Sequence, residues 1–549
     1  MTQADKQYNE LVKNILENGY TDEDQSVRTV WKDGSPAHTL SIIDAKFTFD
    51  NSEVPILTSK AVAWKTSIKE TLWMYVQQSN VVQDLRDVSV SIWNEWENEE
   101  GNIGRSYGSQ LESHRFRNDR AIVEVEQKTR DIHGELKNIF VGELIEPNTH
   151  CKNEIIGKVF TSNRCGDARV IDVMATGDVY DKHIAVKLQF LNTGYIVTVQ
   201  NGDFKRGKFV DKYARTVFDV GYLGDIDSVK NFTKEEIKTL KARWSSMILR
   251  CYKDKSKSYL RYGGKGVFVD ERWHSFENYL RDVRMLPQYF LAKKDNFVGW
   301  EIDKDYYKSN CYSFETCVWL SSSDNSRYTS RHRPFYVTSE IGERRFFIDL
   351  RDACDVYKFD SSNLSKAVRG LKKMGNYKIE PDTTGKIYRY ELSRNQVNEL
   401  IHNIKNNPAS RRLMISFWNY ADVTKKQLQE CVYEQQWFVK ENKLHLTVRA
   451  RSQDMALGNP FNIFQYNVLQ RMIAQVTGYE LGEYNYIMGD AHVYTRHIED
   501  IAKQIEREQF EAPQLWINPE VKNFYDFTID DFKLIGYKHG EKIPYEVAI

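Results

Sequence analysis

Several things are missing from this chain. No apolar run reaches the roughly 18 residues that a membrane-spanning helix needs, so no helical span is expected. The first residues, Met1-Thr2-Gln3-Ala4-Asp5, lack a basic stretch followed by an apolar one, so no secretory leader is expected. The seven cysteines have no regular spacing and form no Cys-x-x-Cys pair. That argues against a disulfide framework and a structural zinc ribbon, and for a reducing, cytoplasmic setting. Net charge is also missing: 77 Lys and Arg balance 77 Asp and Glu. Such a balance excludes an overall bias toward polyanions while allowing opposite local patches. With 41% hydrophobic and 28% charged residues the composition is that of a soluble globular protein. Its 549 residues call for two to four domains.

Residues 5–18 place Tyr8, Leu11, Val12, Ile15 and Leu16 on one helical face. Two strand-like runs follow, His38–Ile43 and Ala45–Phe49. Ala63–Gln77 reads as a helix with a broad apolar face, and Glu70 within it reads by position alone as solvated. Gly104–Gln110 is a glycine-bracketed loop. After about residue 115 the composition changes to one rich in Tyr, Lys, Arg and Ser. Near 386 the character of the first segment returns. Asn395–Asn406 is an amphipathic helix, Ser410-Arg411-Arg412 opens a strand over Leu413–Trp418, and Ile463–Val476 is a long helix. Gly489–Tyr494 is expected on the turn after it. Residues 1–115 and 386–549 together make about 279 residues, the size of one large α/β domain interrupted by another.

Within the second segment, Gln435–Val439 and Leu444–Ala450 read as a hairpin around Lys440-Glu441-Asn442-Lys443. It sets the thiol of Cys431 at the start of one strand and Arg451, Ser452 and Asp454 at the end of its neighbour. An arginine beside a thiol favours the reactive thiolate, although on the hairpin alone a buried structural cysteine is the better reading. The wider set of motifs is more specific. Pro55-Ile56-Leu57-Thr58, Trp93 with Trp96, Ser410-Arg411-Arg412, Arg449–Gly458, Pro460-Phe461-Asn462 and Gly489–Tyr494 occur in this order. Singly, His492 reads as a satisfied turn histidine and Trp93 as core; jointly, residues 1–115 and 386–549 resemble thymidylate synthase along nearly their whole length.

The resemblance implies a homodimer with shared active sites. It would bind deoxyuridylate (dUMP) and use 5,10-methylenetetrahydrofolate as cosubstrate. It assigns the nucleophile to Cys431, whose thiolate would add to uracil C6 and make C5 nucleophilic. It assigns the phosphate to Arg28 and Arg451, with Arg411 and Arg412 from a second subunit, because a phosphate dianion suits guanidinium forks. Ser452 adds a hydroxyl. Asn462 is similar to the residue that reads the uracil edge, and His492 and Tyr494 to the ribose 3′-hydroxyl contacts. Asp454 resembles the carboxylate that holds the pterin. Glu70, Trp93 and Tyr107 resemble proton-transfer and folate-side residues. The tail ending at Ile549 resembles one that closes over the folate. Two positions depart from the family pattern. Glu430 precedes Cys431 where proline is usual, and a carboxylate there raises the thiol pKa if the charges approach. Asn94 stands where Asp is common. The sequence does not decide whether these departures lower activity.

Residues 116–385 carry none of these motifs. Strand-like alternation over 156–225 marks a β-rich module. Over 240–327, Trp273-His274, Ile302-Asp303-Lys304-Asp305 and Asn310–Trp319 resemble homing-endonuclease-like proteins of the HNH type. Asp303, Asp305 and Asn310 are the candidate donors for a metal such as Mg²⁺, but Lys304 stands where the base histidine is expected. Residues 334–380 resemble a helix-turn-helix repeat, with helices over Asp349–Val356 and Ser362–Leu371. Residues 321–378 carry a net charge of about +5, suited to phosphates. The expected fold is therefore α/β (α+β): a thymidylate synthase fold with a large mixed-sheet core, interrupted by an inserted α+β DNA-binding, nuclease-like region. The alternative is a DNA-binding or homing-endonuclease protein on an inactive enzyme scaffold. Nor does the sequence decide whether 116–385 is retained in the mature protein.

Overall fold

The computed structural model describes residues 2–112, 122–124, 139–148, 153–176, 183–329, 334–386, 388–390, 392 and 394–548. The chain divides into two compact units. One is discontinuous, Met1–His114 with Ser393–Ile549, and the other is Arg115–Leu392. Among the described residues no helix is long and apolar enough to cross a membrane.

The discontinuous unit is built on a mixed sheet. Its strands are β1 (Tyr20–Thr21), β2 (Thr39–Phe49), β3 (Met414–Ser416), β4 (Val432–Lys440), β5 (Lys443–Ala450), β6 (Gln453–Asp454) and β7 (Glu480–Tyr494). The spatial order is β1-β2-β7-β5-β4-β3, with β6 beside β7. β5 and β7 run parallel, and the β4–β5 hairpin and the β2–β7 pair are antiparallel. The hairpin forms because Glu441 and Asn442 adopt φ of 51° and 61°, which is the two-residue turn that matches strand twist. Along β5, Leu444, Leu446, Val448 and Ala450 alternate inward and are buried. Each large aliphatic side chain among them contributes about 1.5–3 kcal/mol by leaving water.

That face is covered by helix α1 (Gln3–Asn18), helix α2 (Trp64–Thr71), helix α3 (Gln396–Asn406) and helix α4 (Gly458–Thr477). α4 is buried on nearly every side. Its interior polar groups are therefore satisfied within the protein: Gln470 donates to Leu444 O at 2.8 Å and Asn467 to Asn51 Oδ1 at 2.6 Å.

Several expected boundaries move. The two runs over 38–49 are one strand, which accommodates a φ of 59° at Asp44. The helix expected over 63–77 is α2 followed by a π turn, Leu72–Val76, all five of whose residues are buried. Gly489–Tyr494 is not on a turn. It is the end of β7, which outruns β5 and pairs Tyr494 with Thr39. α4 begins before Ile463 because the Asp454 carboxylate accepts from Ala456 N–H at 2.8 Å and Leu457 N–H at 3.3 Å, and Pro460 fits a first turn.

The continuous unit holds a four-stranded antiparallel meander, Val159–Ser162, Gly166–Thr176, His183–Phe190 and Ile196–Gln200. Between 201 and 225 no further strand is found among the described residues. A second core gathers around the helix Lys234–Tyr252 with Trp244, Trp273, Phe276, Tyr279 and Trp319. Further on, helices Leu350–Tyr357 and Ser361–Val368 pack with a three-stranded antiparallel sheet, Arg344–Phe347, Phe335–Thr338 and Lys378–Pro381. The helices match the expected pair within a few residues, but the sheet was not expected; four-residue strands spread over nearly fifty residues leave little periodic trace.

Candidate active site

The antiparallel hairpin puts the start of β4 beside the end of β5. β7, parallel to β5, ends there too, so Cys431, Arg451, His492 and Tyr494 converge at one end of the sheet. The carboxyl ends of parallel strands are where α/β sheets commonly bind ligands. Cys431 O accepts from Arg451 N–H at 2.8 Å. The Arg451 guanidinium reaches the backbone before the thiol, Nε to Glu430 O at 3.0 Å and Nη2 to Gln429 O at 3.1 Å. The Cys431 N–H donates to the Tyr107 hydroxyl at 3.2 Å. Tyr107 itself has a φ of 43°, a strained backbone for a bulky residue. Beside it, a Cβ on Gly108 would lie 2.3 Å from Ser79 O, so only glycine fits.

Burial pushes the half-buried Cys431 thiol up; Arg451 draws it down, and Asp454 and then Glu430 push it up. Glu430 does not stand free against the sulfur. Its carboxylate is fully buried and faces Lys426 Nζ at 2.6 and 2.9 Å. It also accepts from Tyr107 N–H at 3.3 Å.

A second set surrounds this core. Asp454, on β6, acts electrostatically on Cys431, Tyr494, Lys60 and His497. Asn462, in the second turn of α4, donates to Gln453 Oε1 at 3.4 Å. His492 is buried with Nδ1 2.6 Å from Asp490 Oδ1, and its ring meets Tyr494 edge-on at 5.2 Å. Burial first, then Asp454, lifts the Tyr494 hydroxyl to about 12, while Thr29 and Arg28 draw it down, which places exposed Arg28 at this same end. Ser452 lies half-buried in the bend between β5 and β6, its hydroxyl free of hydrogen bonds among the described residues.

Glu70 is not solvated. It is 5% exposed, accepting from Trp93 Nε1 and Gln465 Nε2, both at 2.5 Å. Burial lifts its carboxyl to about 7 against those two hydrogen bonds. Trp93 packs between Trp73, Trp96 and Tyr107, with ring centroids 6.0, 5.7 and 5.5 Å away. Asn94 accepts from Arg86 Nε at 3.1 Å.

Lys60 was not singled out by the sequence. Its ammonium is buried, donates to Ala456 O, lies 4.8 Å from the Tyr545 ring, and is lowered to about 8 by burial against the pull of Asp454. The only hint was a lysine inside an apolar stretch. The tail docks through Glu546, whose carbonyl lies 3.0 Å from His497 Nε2 and whose carboxylate meets Arg496 at 3.2 Å; Ile549 lies outside the described residues. Arg411 and Arg412 are exposed just before β3, and among the described residues neither guanidinium has a hydrogen bond or ion pair. The structure does not gather them with Cys431 in one chain.

In the continuous unit, Asp303 Oδ1 accepts from Tyr306 N–H at 2.7 Å, closing a turn. Asp305 pairs with buried Lys304 at 2.5 Å, and Asn310 is exposed. Among the described residues no group of three His, Cys, Asp or Glu is placed to hold a metal ion. The donor set does not fit Mg²⁺ as it stands, and no step is routed through one. His274 is buried within 3.2–3.3 Å of Arg215, Tyr252 and Val269 O, and burial, then Arg215, lowers it to about 4.

Comparison with known proteins agrees with this geometry. The family model described as thymidylate synthase matches residues 6–139 and 355–549. The thymidylate synthase of Bacillus mojavensis is 32% identical over 550 residues, covering 100% of each chain, and that of Bacillus phage phi3T gives the same figures. The thymidylate synthase of Bacillus atrophaeus is 58% identical over 200 residues, 34% of this chain and 88% of its own. With its arginine-clamped cysteine at the end of a mixed sheet and these matches, the chain belongs to the thymidylate synthase family.

Proposed function

We propose that the discontinuous unit converts deoxyuridylate to thymidylate with 5,10-methylenetetrahydrofolate, giving dihydrofolate, through a covalent adduct on Cys431. The observation that carries this is the fixed backbone around the thiol: Tyr107 holds its N–H and Arg451 holds the carbonyls of Gln429 and Glu430. A thiolate so placed adds to uracil C6, C5 attacks the cosubstrate's methylene carbon, and loss of the C5 proton with elimination and hydride transfer releases the product and regenerates the thiolate. Glu70, lifted to about 7, is tuned to move a proton near neutral pH. Arg28 and Arg451 take the phosphate, Asn462 the uracil edge, His492 and Tyr494 the ribose, and Asp454 and Trp93 the folate. Arg411 and Arg412 serve the partner's phosphate in a homodimer. In support, the outer sheet face carries exposed Ile43 and Trp418 around a cavity of about 1050 Å³. Cys431→Ala is expected to abolish tritium release from 5-tritiated deoxyuridylate. Release at even a tenth of the parent rate would overturn the reading.

A specific observation favours DNA binding by residues 334–381. Arg344, Arg345, Lys366, Arg369, Lys372 and Lys373 are all exposed there, and the Arg344 guanidinium lies 3.8 Å from the Tyr336 ring centroid. Phosphate contacts make affinity fall steeply with salt. Gel shifts across a salt series are expected to show that slope, made shallower by about 2 in Lys372→Glu/Lys373→Glu. An unchanged slope would remove this module from the interface.

A further inference from the structure

The mechanism above leaves one buried ion pair unused. Lys426 and Glu430 lie four residues apart, their side chains 1% and 0% exposed, with Nζ 2.6 Å from Oε2. Glu430 is the residue next to the reactive cysteine. The same ammonium also donates to Phe417 O at 3.2 Å and lies 5.9 Å from the Trp418 ring centroid. The Glu430 carboxylate also takes the Tyr107 N–H, and the Tyr107 hydroxyl takes the Cys431 N–H. The Phe417 ring in turn packs edge-on against Tyr107 at 5.5 Å. A closed ring of contacts thus runs from Lys426 through Glu430 and Tyr107 to the thiol's own backbone.

We propose that Lys426 and Glu430 are positioning residues for Cys431: the pair neutralises a carboxylate beside the thiol and holds Tyr107 where it fixes the Cys431 backbone. This rests on Cys431 being the nucleophile. The charged and titratable groups facing the sulfur are Arg451 from the end of β5, Asp454 from β6, Glu430 from its own segment, Tyr107 from the glycine-bracketed loop, and Tyr486 and Tyr494 from β7. Among the described residues, only Glu430 of this set has a buried cation within ion-pair distance. Breaking a buried pair leaves an uncompensated charge, and here the survivor would sit against the thiol.

The two halves of the pair therefore predict opposite shifts. In Lys426→Met the unpaired carboxylate opposes the thiolate. In Glu430→Gln the amide keeps the contact with Tyr107 N–H while a cation replaces the neutral pair. The probe is iodoacetamide, with alkylation of Cys431 followed by peptide mass spectrometry in the full-length chain across pH. K426M is expected to move the midpoint up by about one pH unit and E430Q to move it down, with the K426M/E430Q double variant returning to the parent. Tritium release is expected to follow, with kcat falling in K426M at a nearly unchanged KM for deoxyuridylate. Midpoints that stay put, or move the same way in both variants, overturn the proposal. Should K426M not fold, E430Q decides alone: a downward shift supports it, and no shift or an upward one overturns it. Alkylation needs no substrate, so failure of this proposal is separable from failure of the synthase reading, which tritium release from the parent chain tests.

Discussion

Glu70 shows how much burial does at a single residue. A carboxyl lifted to about 7 keeps its proton through a range where the unfolded chain has lost its own. Between about pH 4.5 and 7 the folded state then binds more protons, so this group's contribution to stability is lost as pH rises. A shift from 4.5 to about 7 corresponds to about 3 kcal/mol. Glu70→Gln is expected to flatten the fall in stability across that window and to be the more stable chain at pH 8, while tritium release drops sharply. Urea unfolding of both chains at pH 5, 6, 7 and 8 checks it; parallel curves would mean that Glu70 is ionised throughout. Motif order along the chain had marked Cys431, Arg451, Asp454, Asn462, His492, Tyr494 and Arg28, and the fold brings them to one end of the sheet. The burial of Glu70 was not legible, because its helix position predicts solvent and its hydrogen-bond partners Trp93 and Gln465 are 23 and 395 residues away. Lys426 and Lys60 were illegible for the same reason. Local sequence does not tell whether a lysine ammonium ends in water or in the core.

The elements were legible where one period ran unbroken. α1, α3 and the β4–β5 hairpin stand close to where spacing put them, because each has one apolar face. The end of β7 differs from the expected turn because Gly489 is exposed and Asp490 half-buried, which breaks the alternation, while pairing with β2 and β6 carries the strand on. The π turn after α2 left no signal, since all of Leu72–Val76 is apolar and buried. The hairpin turn gives a prediction at this scale. Glu441 has a φ of 51°, a region that disfavours a long side chain by roughly 1 kcal/mol relative to glycine. Its position is at the far end of β4 from Cys431, about 30 Å away at the rise of a strand. Glu441→Gly is therefore expected to raise stability by about 0.5–1 kcal/mol with tritium release unchanged. Denaturant midpoints and the release assay check the two halves separately; a loss of stability would mean that the Glu441 side chain makes contacts worth more than the turn strain.

At the scale of the whole chain, each unit closes on itself at the place where the sequence passes between them. In the discontinuous unit Glu112 bridges Asn395, and Gln396 Nε2 donates to Gln110 O at 2.9 Å. In the continuous unit Ile122–Glu124 pairs with Tyr388–Tyr390. A guest whose own ends are paired imposes little loop-closure entropy on its host, since that cost grows only as the logarithm of the free loop. Replacing residues 115–392 by a short Gly-Ser linker is therefore expected to leave a cooperatively folding synthase with tritium release within about twofold of the full chain. The excised residues 115–392, expressed alone, should fold, because their aromatic core around Trp244, Trp273 and Trp319 lies wholly within them, and so give the same salt-series gel shift as the full chain, which tests the DNA binding proposed for residues 334–381. Cooperative unfolding and release by the shortened chain would show that the synthase needs nothing from the guest. An aggregated or inactive product from a linker that spans the Glu112–Asn395 bridge would show that the two units share stability, and would count against the insertion reading.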